Sequence, residues 1–595
     1  MTTTPTHRGR ARRVGLALVT ATALASLSFA TAAGAGTYNL SSKAPYPAPA
    51  STVTYTAAPD GYTPIYTESV DRHGSRGLSG YKYDALLMLM AKTALAEGGF
   101  QSAAIGQAFI ANLNGITAAN VENGYGLLTG QGRDQLKAIG QRAYERNKTL
   151  FTAAASAGGT IVWETSGEGR ATESGQSFQA GFAAAGGSAI AGKSTDFAVR
   201  PDLLYFHKIE NPDGTKKAEG TAAYTIAAAF EDYVASDKVA AVEDFAADQD
   251  EAKQVANDLL LQIFTQDFID KIGQDAAHTW YNTVDGTKTG ATNCAPNSDP
   301  TKDPDACGDP TKKISKITDA AEYIYECMIT QADMPAENVA PHTFDFTTYF
   351  AGHEEDSEWF AYLLDVGDFY EKGPGFAGQT DSFQDAQPLL DDFFKAIDDR
   401  VAGGTVVATY RFGHAETVVP FAALLRLPGY TKQAPNVTEP KTLADIYTYD
   451  AYDFRSATAG PMAVNVQWDV VAKSGTDPAT GKAYTPLVRV LFNEVEVPVY
   501  PGQCTPIAAG SPWYKLTELK RCLNGTATTE SPTLTVTASA SPTPAAATTA
   551  GIPTGNTGSP LATDSNDLIA GAAALVAVAI IVTMVATKAR RAKTR

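Results

Sequence analysis

Apolar and polar positions change their period several times along the chain, and the changes mark out its elements. The run Tyr62-Thr63-Pro64-Ile65-Tyr66-Thr67-Glu68-Ser69-Val70 is β-branched and aromatic and predicts a strand. A helix is expected over residues 81–97. Residues 160–165 and 405–410 predict two more strands, the first followed by an Ala-rich helical stretch containing Ser177, Phe178 and Phe182. Residues 487–493 read as a late strand returning to the same sheet. Each of the first three strands runs into a polar, Gly-containing turn. These are Asp71-Arg72-His73-Gly74-Ser75-Arg76-Gly77, Ser166-Gly167-Glu168-Gly169-Arg170 and Arg411-Phe412-Gly413-His414-Ala415-Glu416. Alternating strands and helices argue for an α/β sheet domain, where ligand sites gather at the carboxyl ends of strands. Residues 208–400 are mostly helical in pattern, for example at 250–270 and 317–331, and read as a helical domain inserted between sheet elements. That divides the α/β core into residues 60–207 and 401–525, with a Pro-, Ser- and Ala-rich lead-in at 36–59.

The two ends follow a different pattern. Residues 1–35 have a basic start (His7, Arg8, Arg10, Arg12, Arg13), an apolar stretch and small residues at Ala32-Ala33-Gly34-Ala35, which is the layout of a secretory signal. Residues 526–567 form a Thr-, Ser-, Ala- and Pro-rich stalk with too little apolar surface to fold, so a disordered spacer is expected. Residues 568–587 are 20 uncharged positions, long enough to cross a bilayer as one helix, and the basic tail 588–595 follows. The positive-inside tendency keeps that tail cytoplasmic. The expectation is a single-pass protein of the cell membrane, with its folded part outside.

The five cysteines agree with an oxidising exterior. Cys504 is expected to pair with Cys522 and Cys294 with Cys307, which leaves Cys327 as a buried thiol. No His or Cys grouping has metal-ligand spacing, so no metal is expected. The net charge of −18 argues against nucleic acid as a partner, although a local Arg cluster can still hold a small anion.

Such a cluster stands in Arg72-His73-Gly74-Ser75-Arg76. Two guanidiniums flanking an imidazole suit phosphate oxygens, and Gly74 would let the backbone approach a ligand closely. Residues of less certain purpose are His353-Glu354-Glu355, read as an exposed polar loop, and His207-Lys208, read as the end of a strand-like run Leu203-Leu204-Tyr205-Phe206. Trp359 to Tyr370 carries aromatics at helical spacing and reads as core.

The pentapeptide resembles the Arg-His-Gly-x-Arg-x-Pro signature of the histidine acid phosphatases, with Leu78 where the family has proline. Arg170-Ala171-Thr172-Glu173-Ser174, followed by Phe178, is similar to the context of the family's middle phosphate-binding arginine. Leu128-Thr129-Gly130-Gln131-Gly132 with Gln135 resembles the stretch between them. His414-Ala415-Glu416 looks like the distal motif in the form of the multiple inositol polyphosphate phosphatases; phytases of the superfamily more often carry His-Asp there. The resemblance implies a central mixed sheet flanked by helices with an inserted, mostly helical domain. It also implies a phosphomonoesterase without cofactor. His73 would be the nucleophile, Arg72, Arg76, Arg170 and His414 would hold the phosphoryl oxygens, and Glu416 would donate the proton to the leaving alcohol. Glu168 and Glu173 compete with Glu416 for that role. The substrate implied is a small phosphate ester, an inositol polyphosphate such as phytate, with Lys208, Lys372, Arg455 and Lys473 as candidates to line its pocket. A broad acid or sugar phosphatase, and a non-catalytic module binding a phosphorylated polymer, are the alternatives.

Overall fold

The computed structural model describes residues 38–50, 53–192 and 196–524. The expected signal, stalk, apolar run and basic tail lie outside the described residues. Within them, no helix is long and apolar enough to cross a membrane.

The strands of the central sheet are β1 (Thr63–Arg72), β2 (Thr160–Thr165), β3 (Phe197–Val199), β4 (Val406–Gly413), β5 (Asn465–Ala472), β6 (Leu487–Phe492), β7 (Val495–Glu496) and β8 (Trp513–Lys515). In space they run β7-β6-β5-β1-β4-β2-β3, with β8 paired to β6. From Tyr66 onward β1 is buried at every position, because helices cover both faces of the sheet at its centre. β1 and β2 each pair in parallel with β4, whereas β5 runs antiparallel to β1, so the sheet is mixed. The registers Arg72↔Gly413 and Thr165↔Phe412 bring the carboxyl ends of β1, β4 and β2 to one edge. That register gathers the three polar turns.

β5 was not anticipated. Val466, Trp468 and Val470 alternate with Asn465, Gln467 and Asp469, the period of a half-buried strand, but the polar face is buried as well. Asp469 explains how: it accepts from Asn147 and Thr67 and pairs with Arg146 (3.1 Å) and Arg489 (2.9 Å). The run 203–206 is not a strand. Pro201 opens a short helix, Pro201–Leu204, and its fixed φ suits the first helical position.

The helices that matter below are α1 (Tyr83–Glu97), α2 (Ala103–Asn123), α3 (Gly130–Arg146), α4 (Gly169–Phe182), α5 (Asp250–Leu261), α6 (Ile317–Gln331), α7 (Glu354–Glu371) and α8 (Ala415–Leu424). The periodic run 250–270 breaks after Leu261, where Phe264 bridges to Phe100. One apolar cluster joins Leu86, Phe109 and Ile116 of α1 and α2 to Leu259, Tyr325 and Phe360 of α5, α6 and α7. Phe360, Val366 and Phe369 of α7 are core, as the aromatic spacing indicates. His353 is not in a free loop: it caps α7, with Glu354 and Glu355 in the first turn, where acidic side chains suit the helix dipole. Disulfides join Cys294 to Cys307 and Cys504 to Cys522, and Cys327 is a buried thiol.

Beneath the site, Arg411 on β4 is fully buried among three carboxylates, Glu68 (3.0 Å), Glu164 (3.1 Å) and Asp392 (2.6 Å). Removing one partner of a buried ionic group strands the others. Arg411→Met should therefore lower stability by about 3 kcal/mol, read as a shift of the urea midpoint. A loss under about 1 kcal/mol would mean that Glu164 and Asp392 take up protons when the guanidinium goes, Glu68 being already pushed up to about 8 by burial.

Candidate active site

His73 follows the last residue of β1, and its N–H donates to the carbonyl of Gly413 at the end of β4 (3.0 Å). Its Nδ1 lies 2.9 Å from the carbonyl oxygen of Gly74. A carbonyl only accepts, so Nδ1 carries the proton and Nε2 keeps its lone pair. Burial, then the charges of Arg170, Arg72 and Arg76, push the imidazole well below its ordinary range. The ring is therefore neutral and nucleophilic at Nε2.

The loop holding His73 is braced from behind. Ser75 N–H donates to Gln135 (2.9 Å), and the Ser75 hydroxyl donates to Asp333 (2.5 Å) while accepting from Gln131 and Gln135. Thr129 N–H donates to the Ser75 carbonyl (3.0 Å). Gly74 is needed for a reason other than ligand approach: a Cβ there would sit 2.5 Å from the carbonyl oxygen of Gly132 on α3. Leu78 also gains a reason. Its N–H donates to Asn120 Oδ1 (2.8 Å), a bond proline could not make.

Three guanidiniums surround His73. Arg72 is buried and donates from Nη1 to the carbonyls of Ser42 (2.7 Å) and Gly460 (2.5 Å), so the lead-in helps to fix it. Arg76 donates to Gly77 O (2.9 Å), and Arg170 pairs with Glu168 (3.2 Å). Burial, followed by the nearby charge of Arg170, lowers the pKa of Arg76. Cations held this close oppose one another until an anion arrives. His414 sits edge-on to His73 with ring centroids 5.6 Å apart, and its Nε2 is 2.9 Å from Ser166 Oγ. Arg72 Nε and Arg170 Nε are buried with no protein partner. Buried polar atoms are almost always paired, so these two donors mark where an oxyanion's oxygens are wanted.

Glu416 lies in the first turn of α8, with Oε1 3.7 Å from Lys372 Nζ, and Lys372 is itself 2.8 Å from Asp368. Burial would raise its pKa, but Lys372, with His207 and His414, holds it well below the usual carboxylate range. Its rivals are engaged elsewhere: Glu173 with Arg133 (2.6 Å), and Glu168 with Arg170 and the Tyr205 hydroxyl (3.1 Å). Of the four pocket candidates, Lys372 is thus bound to Glu416. Arg455 is spent on the backbone carbonyls of Tyr449, Tyr452 and Phe454. Lys473 stands at the opposite end of the sheet, beyond the Thr63↔Ala472 pair. Lys208 neighbours His207, whose ring is 6.2 Å from that of His414. Burial lowers His207 to about 3, so it lines the site as a neutral ring rather than ending a strand. Ser166 was visible as a strand-end hydroxyl, but nothing in its sequence context signals Ser42.

The family model for the histidine phosphatase superfamily (branch 2) matches residues 69–452. This chain belongs to that superfamily. It is accordingly a phosphoric monoester hydrolase. The multiple inositol polyphosphate phosphatase of Bifidobacterium longum in complex with inositol hexasulfate is 54% identical, with 81% of this chain and 97% of that chain covered and a TM-score of 0.77. The same enzyme in complex with phosphate is 55% identical, with 82% and 97% covered and a TM-score of 0.78. The phytase of D. castellii, 13% identical over 82% and 84% of the two chains with a TM-score of 0.51, shares the fold. No curated protein sequence matches the chain.

Proposed function

We propose that this enzyme removes phosphate from inositol polyphosphates such as phytate through a phosphohistidine on His73. The observation that carries the reading is the neutral His73, with its lone pair on Nε2, among Arg72, Arg76 and Arg170. The substrate class is supported by the similarity to an enzyme crystallised with inositol hexasulfate. In the first step Nε2 attacks phosphorus and the P–O bond to the inositol breaks. The guanidiniums and His414 take up the charge on the phosphoryl oxygens. Glu416 delivers a proton to the departing oxygen. It is a carboxylate beside Lys372, but an arriving phosphate dianion raises its pKa and lets it collect that proton. In the second step Glu416, ionised again, takes a proton from water. The water oxygen bonds to phosphorus, the N–P bond breaks, and inorganic phosphate leaves. The reading extends to location: signal, stalk and apolar run support an enzyme tethered to the outer face of the cell membrane. The two disulfides agree with an oxidising exterior.

The test is phosphate release from phytate set beside release from p-nitrophenyl phosphate. A higher kcat/KM on phytate is expected. Clear preference for the simple ester would remove the inositol assignment, and turnover of neither would leave a phosphate-binding module.

A further inference from the structure

Lys372 stands between two carboxylates and is not shared equally. Its Nζ is 2.8 Å from Asp368 Oδ1, a hydrogen bond, and 3.7 Å from Glu416 Oε1, an ion pair without one. Against burial, Asp368, Glu416 and Glu371 push the ammonium up, so it stays charged. Asp368 is itself held, because its Oδ2 accepts from the Ser456 hydroxyl (2.8 Å). Ser456 N–H donates to Asp365 Oδ2 (2.9 Å), and Asp365 Oδ1 accepts from the Ser41 hydroxyl (2.7 Å). Asp365 and Asp368, three positions apart on α7, thus face one short helix, Ser456–Ala459. Gly460, which caps that helix, accepts from Arg72, as does Ser42 beside Ser41. One frame therefore carries both the Arg72 guanidinium and the ammonium opposite Glu416.

The unequal sharing matters for a proton donor. An ammonium hydrogen-bonded to Glu416 would keep it ionised, whereas one drawn away leaves it able to take up a proton when phosphate arrives. We propose that Asp368, fixed by Ser456, is a positioning residue that draws Lys372 away from Glu416 and so keeps Glu416 a usable acid. The inference rests on the reading of Glu416 as the proton donor. The other groups facing Glu416 are His207, His414, Tyr205, Glu371 and Arg72. All of these stay in place in the Asp368 and Lys372 variants below.

The experiment follows kcat on phytate against pH in the full chain, in a Glu416→Gln control and in Asp368→Asn, Asp368→Ala and Lys372→Met. An acid that must be protonated gives kcat a basic limb, where activity falls as pH rises through its pKa in the complex. Losing the Asp368 charge frees Lys372 for Glu416 and lowers that pKa. The limb should move to lower pH by about one pH unit in both Asp368 variants. In Lys372→Met it should move to higher pH by about the same amount. Opposite shifts on removing a carboxylate and its lysine partner are not what a packing role gives. Asparagine keeps the shape of Asp368 and alanine leaves no polar group behind, so whichever folds decides. A limb unmoved in the folded Asp368 variants, or moved the same way as in Lys372→Met, overturns the positioning role, while loss of the limb in Glu416→Gln leaves the proton donor in place. A limb that persists unchanged in Glu416→Gln overturns both.

Discussion

Replacing His73 with alanine is expected to lower kcat on every phosphate ester by at least about 10⁴-fold. The reasoning runs through one hydrogen bond. With its Nδ1 proton committed to the Gly74 carbonyl, the ring can present only Nε2 to a phosphoryl group. No other described nucleophile shares that position, since His414 Nε2 is engaged with Ser166 and His207 lies beyond His414. Because His73 is buried, His73→Gln belongs beside the alanine variant as a better-filled control for folding. Both should bind inorganic phosphate, because the three arginines remain. Brief mixing of the parent with radiolabelled substrate and quenching in alkali, in which phosphohistidine survives, should trap label that neither variant acquires. Turnover by a folded His73→Gln within about a hundredfold of the parent would mean that water attacks phosphorus directly.

The parts of the site that sequence could reveal were those written along single strands. β1, β2 and β4 each carry an apolar run into a polar turn, so their residues could be named before their neighbours were known. The parallel registers then set Arg72, His73, Arg170 and His414 around one point. What could not be read is what reaches the site from a distance. Asp333 comes from just past α6 and Ser42 from the lead-in, each in local sequence that looks ordinary, and Lys372, at the end of α7, could be named as a pocket candidate but not as the partner of Glu416. Lys372 shows why: a lone lysine is a solvated charge until the fold puts Glu416 within 3.7 Å and Asp368 within 2.8 Å of it. β5 was legible in its alternation but hidden by its polar face, whose Asp469 is made tolerable inside the protein by Arg146, Asn147, Thr67 and Arg489. Gly74 and Leu78 teach the same lesson, since their reasons lie in Gly132 and Asn120, on helices packed against the loop.

Glu416→Gln should separate the two chemical steps. An inositol oxygen leaves as a poor alkoxide and needs a proton as its bond to phosphorus breaks, whereas nitrophenolate leaves without one. Glutamine fills the same space but can neither supply that proton nor take one from water. It also leaves Lys372 anchored to Asp368, so the local fold should hold. On phytate, kcat should fall about 10³-fold, within the range of a lost general acid. On p-nitrophenyl phosphate the first step should survive while hydrolysis of the phosphohistidine slows for want of a base. The variant should then show a burst of about one nitrophenolate per active site, followed by a slow steady rate. The lysine contact sharpens the expectation. Glu416 is held below the usual carboxylate range, so its basic form is present across neutral pH and its acidic form depends on bound phosphate. Removing it should therefore harm the second step at neutral pH whichever ester is used. Equal losses on both substrates, with no burst, would move the proton transfer away from Glu416. Glu168, held between Arg170 and the Tyr205 hydroxyl, would then be the carboxylate to replace next.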